Sequence, residues 1–369
     1  MRRDALELDP AKNPGVLDTA TWDPAAAWQA TAGAGERWRE VQEAAIAGRA
    51  LPRLDGVTPF TGSCAVRGAA VFCLAALPDG QQVFVEIGSG GGPEALGEPM
   101  GTAALSHGLR LAAYPTDASV VARYCETVKP GAGPQPMGGT PRLGIGVRMT
   151  TAVWPGIFDA MTGQGFAANP IQNSVRELNL LADLLAARPA PQNYACGFGT
   201  IASGYTGSSW EGLWLSGVLS ALQYETPVRY GADADHIQVK RGADGLARAR
   251  RIIEAARHYS FYTLDMADVL DYAALSPSAA SPGSAQLARK IPDERIRRDV
   301  LAYHREPAAV GAATYRLDEE SVGRLVGKYR ACPEKDRNED SCSHNRPSIS
   351  MRSSRASSSC GQFFCISKL

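Results

Sequence analysis

The sequence predicts an α/β protein in which a smaller α+β domain precedes a run of βα units too few to close a barrel. Three observations carry this. The β-favouring runs Ala69–Leu74 and Gln82–Ile87 flank Leu77-Pro78-Asp79-Gly80, a turn signal of the hairpin kind. A Gly/Pro-rich stretch at Gly131–Pro141 then marks a domain boundary. From Arg142 onward short apolar runs alternate with helical segments, the pattern of parallel strands joined by crossover helices. About four or five such units fit before Arg330, against the eight of a closed barrel.

Taken in order, residues 1–54 form an N-terminal segment with one helix over Glu36–Arg49, where Trp38, Val41, Ala45 and Ile46 share a side. Residues 55–140 form the α+β domain, with the hairpin and a helix over Ser119–Val128 that Pro130 stops. Residues 141–330 hold the βα units. Strands are expected within Leu143–Met149, Val228–Ile237 and Tyr259–Leu264, and helices over Ser174–Ala187, Trp210–Leu222 and Gly245–Ala256. After Arg330 the composition changes abruptly. Residues 331–369 are rich in Ser, Arg and Cys and have no periodicity, so a disordered tail is expected.

Thirty-eight basic and 38 acidic side chains give zero formal charge, which removes the electrostatic argument for a nucleic acid or anionic membrane partner. No apolar run approaches the roughly 18–20 residues of a membrane span. The charged start Met1-Arg2-Arg3-Asp4 argues against a secretory leader, so a cytoplasmic protein with reduced thiols is expected. Cys332, Cys342, His344, Cys360 and Cys365 crowd the tail, but their spacing matches no paired zinc motif.

Two segments invite chemistry. Val85-Glu86-Ile87-Gly88-Ser89-Gly90-Gly91-Gly92 looks like the glycine loop of an S-adenosylmethionine-dependent methyltransferase. The Pro-Asp-Gly turn before it makes the strand the return arm of an antiparallel hairpin, and Pro93, Gly97 and Pro99 suit no helix, so a plain loop is expected. The second segment is Tyr230-Gly231-Ala232-Asp233-Ala234-Asp235-His236-Ile237. On a regular strand Asp233 and Asp235 point one way and His236 the other. At the turn ending a barrel strand they can converge, putting a proton-shuttling carboxylate beside a metal-binding imidazole. The competing reading is a capped helix start with a surface histidine. His107, His258, His304 and His344 have no comparable company, and Arg248, Arg250, Arg251 and Arg257 read as a solvated face.

Gly231-Ala232-Asp233-Ala234-Asp235-His236, followed by Phe261-Tyr262-Thr263-Leu264-Asp265, resembles the tagaturonate/fructuronate epimerases of hexuronate metabolism. Thr116-Asp117-Ala118, Tyr124-Cys125-Glu126, Lys129-Pro130, Leu143-Gly144-Ile145-Gly146-Val147-Arg148, Ile171-Gln172-Asn173-Ser174-Val175-Arg176-Glu177 and Leu317-Asp318-Glu319-Glu320 fit the same family in order, over roughly residues 60–330. The resemblance implies a partial TIM-barrel-like (β/α) domain, incomplete at its C-terminal side. It implies a divalent metal held by His236 and retro-aldol epimerisation at C4 of a ketouronate. That carbon is two bonds from the ketone, so its C–H is not acidified, and cleaving the adjacent C–C bond is the better route. Asp235 would take and return the hydroxyl proton, Asp233 would orient His236, and Arg148, Arg176 and Gln172 would bind the sugar acid.

The chain departs from the family in carrying Val147 where a carboxylate is usual and Gln238 where a lysine often follows, and in its tail. These departures predict a truncated or frameshifted product with open strand edges, impaired activity and a tendency to self-associate. The alternatives are another aldolase or isomerase on the same scaffold, or an inactive gene remnant.

Overall fold

The computed structural model describes residues 19–89, 95–146, 153–174, 193–196, 199–202, 209–224, 229–240, 242–276, 282–310, 312–329 and 363–367. Helix α1 (Pro24–Gly33) was not expected from the sequence. It starts on the Asp23 carboxylate, which accepts from the Ala26 N–H at 3.1 Å, with proline in its first turn. Helix α2 (Trp38–Ile46) buries Trp38, Val41, Ala44 and Ala45, while Ile46 is 60% exposed. The expected apolar face is thus off by one member, because Ile46 sits at the helix end and points away from the sheet.

The N-terminal sheet contains β1 (Thr58–Pro59), β2 (Ala65–Arg67), β3 (Ala70–Ala76), β4 (Gln82–Gly88), β5 (Gly101–Ala104) and β6 (Arg110–Tyr114). Its order is β1-β3-β4-β6-β5, with β2 beside β3 and every pairing antiparallel. The expected hairpin is present, with Val71 opposite Ile87 and Leu74 opposite Phe84, and the Gly80 N–H closes its turn on Leu77 O at 3.0 Å. Val71, Cys73, Val83, Val85 and Ile87 pack under α1 and α2. Phe72, Leu74, Phe84, Ala112 and Tyr114 enter a second core on the other face. Two covered faces explain why these strands read as unbroken apolar runs rather than as alternation.

The chain then passes through α3 (Ala118–Arg123), capped by Asp117 and extended by one π turn over Tyr124–Val128. Four parallel strands follow, hydrogen-bonded in sequence order: β7 (Arg142–Gly144), β8 (Ala167–Ser174), β11 (Tyr230–Gln238) and β12 (Phe261–Asp265). Between β8 and β11 lies a hairpin of β9 (Asn193–Cys196) and β10 (Gly199–Ala202). The crossover helices are α4 (Trp154–Gln164), α5 (Trp210–Leu222) and α6 (Ala243–Ala255). This is the expected βα alternation, as a curled half-barrel sheet. The expected helix over Ser174–Ala187 lies almost wholly outside the described residues.

Helix α5 is apolar all round because both its sides are covered, by the parallel sheet and by α3. It approaches β8 through Gly217, where a Cβ would lie 2.5 Å from Ile171 Cγ1. The Gly131–Pro141 stretch is fastened to the barrel side, since Gln135 N donates to Tyr230 O at 2.9 Å and Tyr230 Oη to Ala132 O at 3.0 Å. One buried cluster runs from the N-terminal sheet to β12 across this boundary.

Beyond β12, α7 (Gly283–Lys290), α8 (Glu294–Arg305) and α9 (Glu319–Tyr329) gather a small core of Leu287, Ile291 and Val322, beside a hairpin of β13 (Ala308–Val310) and β14 (Ala313–Tyr315). The tail lies outside the described residues except for β15 (Phe363–Ser367), which pairs antiparallel with the outer edge of β12. These five residues depart from the expected disorder and from the expected open edge. Phe-Phe-Cys-Ile-Ser has high strand propensity and no proline, and β12 offers an unfilled row of hydrogen-bonding groups.

Candidate functional site

The parallel sheet has two unlike faces. Ala168, Ile171, Tyr230, Ala232, Ala234 and Tyr262 belong to the apolar core under the helices. The alternate positions carry Gln172, Asp233, Phe261 and Thr263, with Asp233 in register with Gln172 on one side and Phe261 on the other. Residues paired in register share a face, so these side chains form one polar layer.

Asp233 lies at its centre and is 5% exposed. Gln172 Nε2 donates to Asp233 Oδ2 at 3.0 Å, and Thr263 Oγ1 to Asp233 Oδ1 at 3.3 Å. Burial, and then the neighbouring Asp235 charge, push the Asp233 carboxyl up to about 6. The bonds from Gln172 and Thr263, and the Arg142 charge, act in the other direction without cancelling the shift. Gly146 makes room for the amide, since a Cβ there would lie 2.2 Å from Gln172 Oε1.

The alternation breaks two residues further on. Ala234 pairs with Tyr262 and Ile237 with Leu264, so three steps on β11 span two on β12, and the bulge falls at Asp235 and His236. His236 takes a left-handed backbone with φ 52°, a conformation that costs a non-glycine residue about 1–2 kcal/mol. Its imidazole thereby returns to the carboxylate side, with Nε2 3.3 Å from Asp235 Oδ2. The expected convergence of Asp235 and His236 is therefore present, at a bulge rather than at a turn. Their side chains are 23% and 50% exposed, open to a ligand where Asp233 is not. Gln172 and Thr263 bond the two oxygens of Asp233, and Asp235 lies beside His236. Gln172 likewise bonds Asp233, a supporting role that strand register alone does not reveal.

Arg142 completes the layer. Its guanidinium carbon sits 4.6 Å from the Phe261 ring centroid. In a flat sheet β7 and β12 would stand roughly 14 Å apart at about 4.8 Å per strand, so this contact reflects the curl of the sheet. Arg148 and Arg176 lie outside the described residues. Thr263 and Arg142 were not singled out in the sequence, although Phe261, Thr263 and Asp265 follow a period of two that places them on one face.

Among the described residues no group of three or more His, Cys, Asp or Glu side chains is placed to hold a metal ion. Asp235 and His236 offer two donors, short of the three protein ligands of a catalytic zinc site. The described donor set does not by itself fit a resident divalent metal.

Fold and site together define an α/β protein with a parallel half-barrel sheet and an acidic, histidine-bearing layer on the face opposite its described helices. No family model and no curated protein matches the chain. Three solved structures resemble it, all of the fructuronate-tagaturonate epimerase UxaE from Cohnella laeviribosi. The complex with one glycerol gives 19% identity and a TM-score of 0.42 over 80% of this chain and 50% of that one. The native structure gives 19% identity and 0.42 over 78% and 49%, and the complex with two glycerols 19% and 0.43 over 80% and 50%. The chain thus spans about half the length of the solved structures it matches. No helix among the described residues is long and apolar enough to cross a membrane.

Proposed function

We propose that this chain carries the proton-transfer half of a sugar-acid epimerase site and acts on a ketouronate in the cytoplasm by retro-aldol cleavage and re-addition. The observation that carries the reading is the β11 bulge, which brings Asp235 and His236 side by side next to buried Asp233. Backbone strain held at an accessible acid–base pair is a mark of a working site rather than of a structural one.

In this reading Asp235 removes the proton from the substrate hydroxyl. The resulting alkoxide collapses to an aldehyde as the adjacent C–C bond breaks, and the electron pair passes to the ketone fragment as an enediolate. The aldehyde rotates, the enediolate adds to its other face, and Asp235 returns the proton to the new alkoxide. No atom is gained or lost. His236 fixes the orientation of Asp235, and Asp233 holds a second proton-accepting group behind it. The divalent metal that the family resemblance implies would need donors beyond Asp235 and His236.

The test incubates the full chain with tagaturonate, with and without added Mn²⁺ or Zn²⁺, and follows fructuronate by chromatography. Turnover that falls about 10²-fold or more in Asp235→Asn and His236→Ala supports the reading. Turnover that both variants retain, or none from wild type under any metal condition, rejects it. Metal dependence is read from the same arms.

A further inference from the structure

We propose that Arg142 is the carboxylate anchor of this site. The proposal deepens the sugar-acid reading above and rests on it only for the identity of the ligand.

Arg142 begins β7, yet its head crosses the polar face to lie over Phe261 of β12. A guanidinium held over a ring face can keep its N–H edges for hydrogen bonds, and arginine receives a carboxylate through two parallel N–H donors. The two hydrogen bonds it makes within the described residues both come from Nη1, to Gly138 O and Thr140 O at 3.2 Å each. A guanidinium has five N–H donors. Nε and both hydrogens of Nη2 therefore remain for a ligand among the described residues. The head is also anchored from behind, because those carbonyls belong to the fastened segment ahead of β7, so little side-chain freedom is left to lose on binding.

Its place suits an acid whose other end reacts. Asp233, which feels the Arg142 charge, lies in register with Phe261. Asp235 is two residues further along β11, roughly 6.6 Å at the usual strand rise. A carboxylate held at Arg142 would leave the other end of a sugar acid directed toward Asp235 and His236. Phe261 would be a positioning residue, acting through the guanidinium it holds.

The experiment measures binding of tagaturonate and of tagatose, the ketose without the carboxylate, to the full chain by titration calorimetry. Wild type should bind the acid more tightly. Arg142→Gln should weaken tagaturonate by about 30-fold or more and leave tagatose unchanged. Arg142→Lys should recover only part of the loss, since it restores charge without the fork, and Phe261→Leu should weaken the acid severalfold. Equal affinity of Arg142→Gln and wild type for the acid overturns the proposal. So does an equal loss for both sugars, which marks a structural role, and so does a wild type that binds neither or does not prefer the acid. Binding that depends on Arg142 in a protein without epimerase turnover would sustain the anchor while rejecting the reaction proposed above.

Discussion

The two large sheets among the described residues use the same strand alternation toward different ends. In the N-terminal sheet both faces are apolar and both are covered, by α1 and α2 on one side and by the shared core on the other. In the parallel sheet the described helices cover one face. The other carries Gln172, Asp233, Thr263 and Arg142, and β11 bulges where its acid and imidazole emerge. A sheet covered twice can only stabilise. One covered once keeps a face for chemistry, and the helices on its back hold that face in place.

The contrast is open to attack, most severely at Phe84 in the doubly covered sheet. Its ring is buried and stacks on Tyr124 at a centroid distance of 4.2 Å. Phe84→Ala should cost about 3–5 kcal/mol in urea denaturation. A cost below about 1 kcal/mol would mean that this face is no core. The next largest effect belongs to the polar face. Asp233 has its folded-state value raised from 3.8 to about 6, so the native protein holds a proton that the unfolded chain has released across that interval. Stability should therefore fall as pH rises from about 4 to about 6, by at most about 3 kcal/mol from this group. Asp233→Asn should flatten that segment of the stability–pH curve, and an unchanged slope in the variant would remove Asp233 as its source.

Between the faces, Gly217→Ala pushes a methyl group into Ile171 and should cost about 1–3 kcal/mol by overpacking. Thermal denaturation reads this, and a rise in midpoint would show that α5 stands farther from β8. The smallest effect is expected at Thr263. Thr263→Val removes one hydrogen bond to Asp233, should cost about 1 kcal/mol, and should move the Asp233 carboxyl midpoint upward, because that bond favours the charged form. A carbon-detected NMR titration of the carboxyl group gives the direction, and a downward shift would contradict the assigned contact.

Local pattern made much of this legible. The Pro78-Asp79-Gly80 turn between two apolar runs was enough for the antiparallel pairing of β3 and β4, which argues against reading Gly88 and its neighbours as a nucleotide loop. Helix α5 was readable to its ends, Trp210 and Leu222, because Ser209 caps it and its apolar content is continuous. Helix α4 and strand β8 were harder. Glycine and proline interrupt the first, and Asn169-Pro170 interrupts the second with a register shift that no periodicity reveals.

The sequence by itself determined the alternation of elements, the hairpin and the concentration of chemistry at Asp233, Asp235 and His236, because turn residues and side-chain periods act over a few neighbouring positions. Only the tertiary structure decided which carboxylate meets the histidine, that Gln172 and Thr263 hold the buried acid, and that Arg142 reaches Phe261 across the sheet. Those contacts depend on strand register, on a one-residue bulge and on the curl of four strands. Each arises from pairing between segments tens of residues apart, and a slip of one residue would turn every one of these side chains to the other face.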